Sequence, residues 1–162
     1  MYLHTSVIQG PFRFTYISPV NRLRAMFENP VLREKLNYPI NRKRDESELG
    51  DVFDGEHYKT LRDKNVAWEG EVVTPPSRYF ADSTDIALGF STDGVPLHTR
   101  TGLDAWPLVL TVYSLPPEVR YKQEYQICCG LVPGKSAYAF KRPVHLVARA
   151  FIQVPNTTRR AA

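Results

Sequence analysis

Cysteine and histidine most often carry nucleophilic or metal chemistry, and this chain of 162 residues holds two cysteines and four histidines. Cys128 and Cys129 are adjacent, a spacing that rarely meets the geometry of an ordinary disulfide and that supplies no pair of zinc-binding Cys motifs. His4, His57, His98 and His145 never fall at the i, i+4 spacing that places two imidazoles on one helix face. Cys129 with His145 as its base would form a nucleophilic pair, but nothing in the sequence activates either, and a buried structural Cys is the commoner role. His57 in DGEHY, near Asp54 and Glu56, could ligate a metal; its plainer reading is a solvated helix start. One carboxylate stands apart. Ile86, Leu88 and Phe90 alternate with Ala87, Gly89 and Ser91, and Asp93 shares the parity of the small residues. If that strand runs straight to its end, Asp93 points into the space they leave. Asp93-Gly94 is equally a strong turn signal.

Charge is distributed in blocks. The formal net charge is +4, but Arg22 to Arg44 hold seven basic and two acidic residues, Asp45 to Glu71 nine acids against three bases, and Tyr125 to the end six bases and no acid. Basic blocks of this kind contact phosphate, whose neutralisation supplies most non-specific nucleic-acid affinity. Arg22, Arg24, Arg42, Lys43, Arg44, Lys141 and Arg142 are the candidate DNA contacts; a solvated helix face and a frayed tail would look the same. Asn41 to Arg44, NRKR, is also a minimal nuclear-import candidate. Trp68 and Trp106 could stack on bases, although Trp106 lies in an apolar run and reads as core.

The elements that must position these residues follow from periodicity. Phe12, Phe14, Tyr16 and Ile17, between Pro11 and Pro19, predict a short extended segment. Val20, Leu23, Met26 and Phe27 recur at helical spacing and predict an amphipathic helix ending at Asn29-Pro30, with a second helix before Pro39. Leu49, Val52, Phe53, Tyr58 and Leu61, interrupted at Asp54-Gly55, predict two short helices or a helix and a turn. Residues 65–84 are irregular. From Asp85 the pattern becomes strand-like: residues 85–94, then Trp106 to Pro116, then Tyr125 to Gly134. The last two are near-continuous apolar runs, as in strands buried on both faces. Short connections between the three predict an antiparallel meander. KRPVHLVARAFIQV reads as a helix or another strand, and NTTRRAA as disordered.

Composition bounds the class. An 18.5 kDa chain with 43% hydrophobic and 23% charged residues has the size and core material of one domain. Thirteen Pro argue against a helical bundle, because each removes a backbone donor and ends or kinks a helix. No run approaches the roughly 20 apolar residues of a membrane helix, and no signal-peptide pattern opens the chain. An intracellular location, nuclear or cytoplasmic, is expected.

DVFDGEHY (Asp51 to Tyr58), DIALGFSTDG (Asp85 to Gly94), WPLVLTVYSLPPEVRYKQEY (Trp106 to Tyr125) and GLVPGK (Gly130 to Lys135) together resemble the central part of CACTA-type, or En/Spm-like, DNA transposases. FTYISPVNRLRAMFENP (Phe14 to Pro30) is similar to the segment that precedes them in that family, and the resemblance covers about residues 12–135. It implies an RNase H-like domain with a triad of carboxylates binding two divalent metals, Mg²⁺ or Mn²⁺, which activate the attacking oxygen and stabilise the leaving one. The TDG motif places Asp93 where such a domain has its first carboxylate, as catalytic residue and metal ligand.

The departures from the family pattern are equally specific. The likeness fades after Lys135, and residues 125–162 contain no Asp or Glu. Asp82, Asp85, Asp104, Glu118 and Glu124 do not stand where the second and third carboxylates are expected, and a lone Asp cannot clamp two metals. The cysteine-rich segment usual before the FTYI-like stretch is also missing, so the sequence reads as truncated at both ends. The expected fold is α/β of the α+β kind: a helical and irregular region over residues 1–84, the start of an RNase H-like domain with its first three antiparallel strands over 85–135, and a divergent basic tail over 136–162. The expected function is a transposase-derived fragment, inactive alone and unable to hold Mg²⁺ or Mn²⁺ tightly. Its expected partners are DNA, the remainder of a transposase or a second copy. A non-enzymatic nucleic-acid-binding module, or an expressed remnant with no selected function, are the alternatives.

Overall fold

The computed structural model describes residues 3–7, 13–43, 48–68, 71–72, 74–98 and 103–133. It is α+β: short helices accompany an antiparallel sheet. Two compact units interleave along the chain. Met1–Glu28, Phe90–Thr111 and Gln126–Ala162 form a sheet unit, and Asn29–Gly89 with Val112–Tyr125 form a helical unit.

In the sheet unit, β1 (Leu3–Val7) and β2 (Arg13–Ile17) pair antiparallel from Leu3↔Ile17 to Val7↔Arg13. Helix α1 (Val20–Glu28) follows and buries Met26. Its start and stop agree with the Val20, Leu23, Met26 and Phe27 spacing and with the break at Pro30. Later in the chain come β5 (Leu88–Ser91), which runs from one unit into the other, β6 (Val95–His98), β7 (Leu103–Val112) and β8 (Ile127–Pro133). The strand order is β1-β2-β8-β7-β5, with β6 paired to β7. The three runs expected to form a meander therefore occupy neighbouring places, as β5, β7 and β8.

In the sheet unit β1 and β6 were not legible, whereas β2 is the expected extended segment. The β1–β2 hairpin joins the sheet through Thr15↔Leu131 and Tyr16↔Gly130, so the sheet draws on residues from both sides of position 84. β6 adds a short partner to the start of β7, with Val95 opposite Ala105. One expectation about β8 is corrected: it is not buried on both faces, since Cys128, Leu131 and Pro133 are exposed between buried Ile127, Cys129, Gly130 and Val132. The two consecutive buried positions mark a bulge. Leu108 pairs with Gly130 but Val109 with Cys128, leaving Cys129 as an extra residue that shifts the alternation by one.

In the helical unit, α2 (Pro30–Leu36) begins at Asn29, whose side chain accepts from the Val31 and Leu32 amides, with Pro30 supplying the pre-set first position. Helix α3 (Tyr38–Asn41) follows. Asp51 opens a single 3₁₀ turn, Val52–Asp54, and α4 (Glu56–Arg62) starts after Gly55, as the interrupted stripe predicted. β3 (Ala67–Trp68) and β4 (Glu71–Val72) make a two-stranded ribbon. After β7 the chain turns through residues 113–115 into α5 (Pro117–Arg120).

The cores differ in chemistry. Ala105, Leu108, Leu110, Ile127, Cys129 and Val132 are buried in the sheet unit. The helical unit buries Phe53, Val112, Leu115 and Val119, and with them the charged side chain of Arg120, 2% exposed. Gly89 is a position only glycine satisfies: a Cβ there would stand 2.1 Å from the Tyr113 ring, which lies across the backbone.

Candidate functional site

Asp93 lies two residues beyond the end of β5, exposed, with its Oδ1 accepting the Gly94 amide at 2.8 Å. The strand does not run straight to Asp93, so the parity that would aim it into the space above Gly89 and Ser91 is broken at Ser91. The TDG motif forms the connection between β5 and β6. Its glycine is set by packing, since a Cβ at Gly94 would meet the Trp106 ring at 3.1 Å. Trp106 is half-buried.

A two-metal centre needs several carboxylates converging on one point. Among the described residues no three of His, Cys, Asp and Glu gather as a metal-holding group, and Asp93 has one oxygen engaged with its own turn. The residues present do not fit a metal pair. The His57 alternative fails on a different ground: both Asp54 oxygens accept from Arg42, at 2.6 Å each, while His57 is exposed on α4.

The candidate DNA contacts are dispersed. Arg22 and Arg24 are exposed on α1, and Lys43 is exposed beyond α3. Arg42 is committed to Asp54, and the bond to its guanidinium holds the Asp54 carboxyl well below the usual carboxylate range. Arg44, Lys141 and Arg142 lie outside the described residues. Charge does not separate the units: among the described residues the sheet unit holds three Arg against three Asp and Glu, and the helical unit ten Lys and Arg against eleven Asp and Glu.

Cys129 is buried and its thiol is pushed up to about 11 by burial, with its Sγ directed at the Leu108 carbonyl. That excludes it as a thiolate nucleophile at neutral pH. Cys128, its neighbour, is exposed.

The residues that sequence reasoning missed are Arg120, Asp51 and Tyr38. Arg120 donates through both terminal nitrogens to the two Asp51 oxygens at 3.0 and 2.8 Å and through Nε to the Leu115 carbonyl. Its guanidinium stands 5.4 Å from the Tyr38 ring centre, 5.9 Å from Phe53 and 5.5 Å from Tyr113. Tyr38 donates to Asp51 at 2.8 Å. Burial pushes the Asp51 carboxyl up, but the bonds from Arg120 and Tyr38 outweigh it and the net shift is downward. Burial and the hydrogen bond to Asp51 raise the Tyr38 phenol. The network ties α3, the turn at Asp51 and α5 together. The only sequence signal was the Pro116-Pro117 helix start that places Arg120 one turn later.

No protein-family model, curated protein or solved structure matches the chain.

Proposed function

We propose that the chain is a fragment descended from a CACTA-type DNA transposase, that β5, β7 and β8 are the opening strands of an RNase H-like core, and that it does not cleave DNA by itself. One observation carries the reading. The motif-bearing runs lie side by side as β5, β7 and β8, and the TDG carboxylate Asp93 stands in the turn directly after the first of them. Its isolation among the described residues supports inactivity and argues that the chain holds neither Mg²⁺ nor Mn²⁺ tightly. The partner that would supply further carboxylates is the remainder of a transposase or a second copy. Incubating the full chain with end-labelled duplex DNA and Mg²⁺ or Mn²⁺ tests this. No strand cleavage is expected, and cleavage abolished by Asp93→Asn would overturn it.

A second reading, a non-enzymatic nucleic-acid-binding module, is favoured by the basic blocks of the sequence, seven bases against two acids over residues 22–44 and six against none over 125–162. Such binding weakens as salt rises, because each neutralised phosphate releases counterions. The test is affinity for a labelled duplex between 50 and 200 mM salt, about a two-log fall being the expectation for a handful of contacts. A flat profile would remove the module. No helix among the described residues is long and apolar enough to cross a membrane; a nuclear or cytoplasmic location is part of the same proposal.

A further inference from the structure

The helical unit contains a cleft of about 550 Å³, within the range of small-molecule sites. Its lining combines three chemistries. Phe53, Tyr58 and Phe80 supply aromatic surface, Lys59 and Arg62 supply cations, and Asp82 and Asp85 supply carboxylates.

Lys59 and Arg62 are one turn apart on α4, so their side chains project from the same side of the helix. Both are exposed, and among the described residues neither has a carboxylate within ion-pair distance. Half-buried Arg42 and buried Arg120 are by contrast committed to Asp54 and Asp51. Two uncommitted cations at a concave site suit an anionic group with a single phosphate.

Phe80 identifies the second half of the ligand. Its φ is 57°, a left-handed conformation that bulky side chains avoid. Residues held in such regions cluster at ligand sites, where the surroundings impose the strain. Here the conformation turns a half-buried ring into the cleft lining, 4.9 Å from the Tyr58 ring. An aromatic ring beside two cations recognises a planar, phosphorylated molecule: base–aromatic stacking is sequence-tolerant and strong. Asp85 adds a preference. Its Oδ2 accepts the Asp82 amide at 3.0 Å, and a carboxylate accepts from the exocyclic amino group of cytosine or adenine but not from the carbonyl edge of thymine.

We propose that this cleft binds a single nucleotide with an amino-bearing base, the base stacked on Phe80 and the phosphate held by Lys59 and Arg62. The proposal does not rest on transposase ancestry, and either can fail without the other. The nucleotide can be free or the 5′-phosphorylated end of a single strand, since the recognised chemistry is the same.

The test is calorimetric titration of the full 162-residue chain with dCMP, dAMP, dTMP and inorganic phosphate, followed by a 5′-phosphorylated d(C)₅ strand. Binding of dCMP or dAMP at least tenfold tighter than phosphate, and roughly fivefold or more tighter than dTMP, is expected. The pentamer binding no tighter than dCMP identifies the free nucleotide as ligand; tighter binding identifies the strand end. Lys59→Ala with Arg62→Ala should weaken dCMP at least tenfold. Phe80→Gly, which removes the ring, should weaken it about fivefold or more, with the thermal transition recorded to show that the chain still folds. Three results would overturn the proposal: no heat with dCMP or dAMP at millimolar concentration, phosphate binding as tightly as the nucleotides, or full affinity in the Phe80→Gly chain.

Discussion

The two units are built on opposite principles. The described core of the sheet unit is apolar: Leu108, Leu110, Ile127 and Val132 pack on paired strands whose backbone groups satisfy one another. The helical unit has a buried cation, Arg120, at its centre. Short helices of four to nine residues cannot hold themselves together by backbone bonding. In the helical unit Arg120 and Arg42 do that work by tying α5 to the turn at Asp51 and α3 to the turn at Asp54. A sheet distributes its stability over many equivalent contacts, whereas a unit organised around a charge concentrates it in a few.

That contrast can be broken most directly at Arg120. Removing one member of a buried pair leaves the other charged and unsolvated, and Arg120→Ala should cost about 3–5 kcal/mol. Hydrogen exchange of peptides from α4 and α5 would lose protection while those from β8 retain it; an equal loss in both would sink the contrast. In the sheet unit the largest single effect is expected from Leu108→Ala. Leu108 is 0% exposed, and the truncation should cost about 2–4 kcal/mol through lost burial and a cavity. The loss should appear in β7 and β8 peptides by the same exchange measurement. A smaller effect of Arg120→Ala than of Leu108→Ala would reverse the assignment.

Acid sharpens the comparison without mutation. Asp51 and Asp54 both titrate below the ordinary value of 3.8 when folded. Their contribution is therefore fully present above that value and is lost as pH falls through the lower folded values. The helical unit should begin to lose stability below about pH 4, with exchange in α4 rising before exchange in β8. Arg120→Met combined with Asp51→Leu, which removes the pair, should shrink this acid response; an unchanged response would show that other carboxylates govern it.

How far the sequence discloses this architecture depends on the range of the interaction. Helices α1 and α2 were legible because their signals are local: helical spacing of Val20, Leu23, Met26 and Phe27, and an Asn29-Pro30 break. The apolar density of the β7 and β8 runs marked them as strands and neighbours. The bulge at Cys129 was hidden, since a run of apolar residues looks the same with or without an inserted position. β1 was hidden because LHTSV alternates too weakly to announce itself and finds its place by pairing with β2. Arg120 and Asp51 are 69 positions apart, and each alone reads as a solvated charge. The cleft behind Lys59, Arg62 and Phe80 was equally invisible: it needs the left-handed turn at Phe80, which a bulky residue does not advertise.

The smallest predicted effect lies at the seam between the two principles. The sheet unit's first segment ends at Glu28 and the helical unit begins at Asn29, so one residue terminates α1 and caps α2. Asn29 satisfies two amides that would otherwise have no partner in the helix. Asn29→Ala should therefore cost about 1 kcal/mol, and Asn29→Asp should keep the cap. If the units are stabilised separately, the Ala substitution should raise amide exchange in α2 and leave β7 and β8 unchanged. A loss shared equally by both would mean that the short link at Asn29 couples them, and that the charge-centred unit depends on the sheet for the helix that opens it.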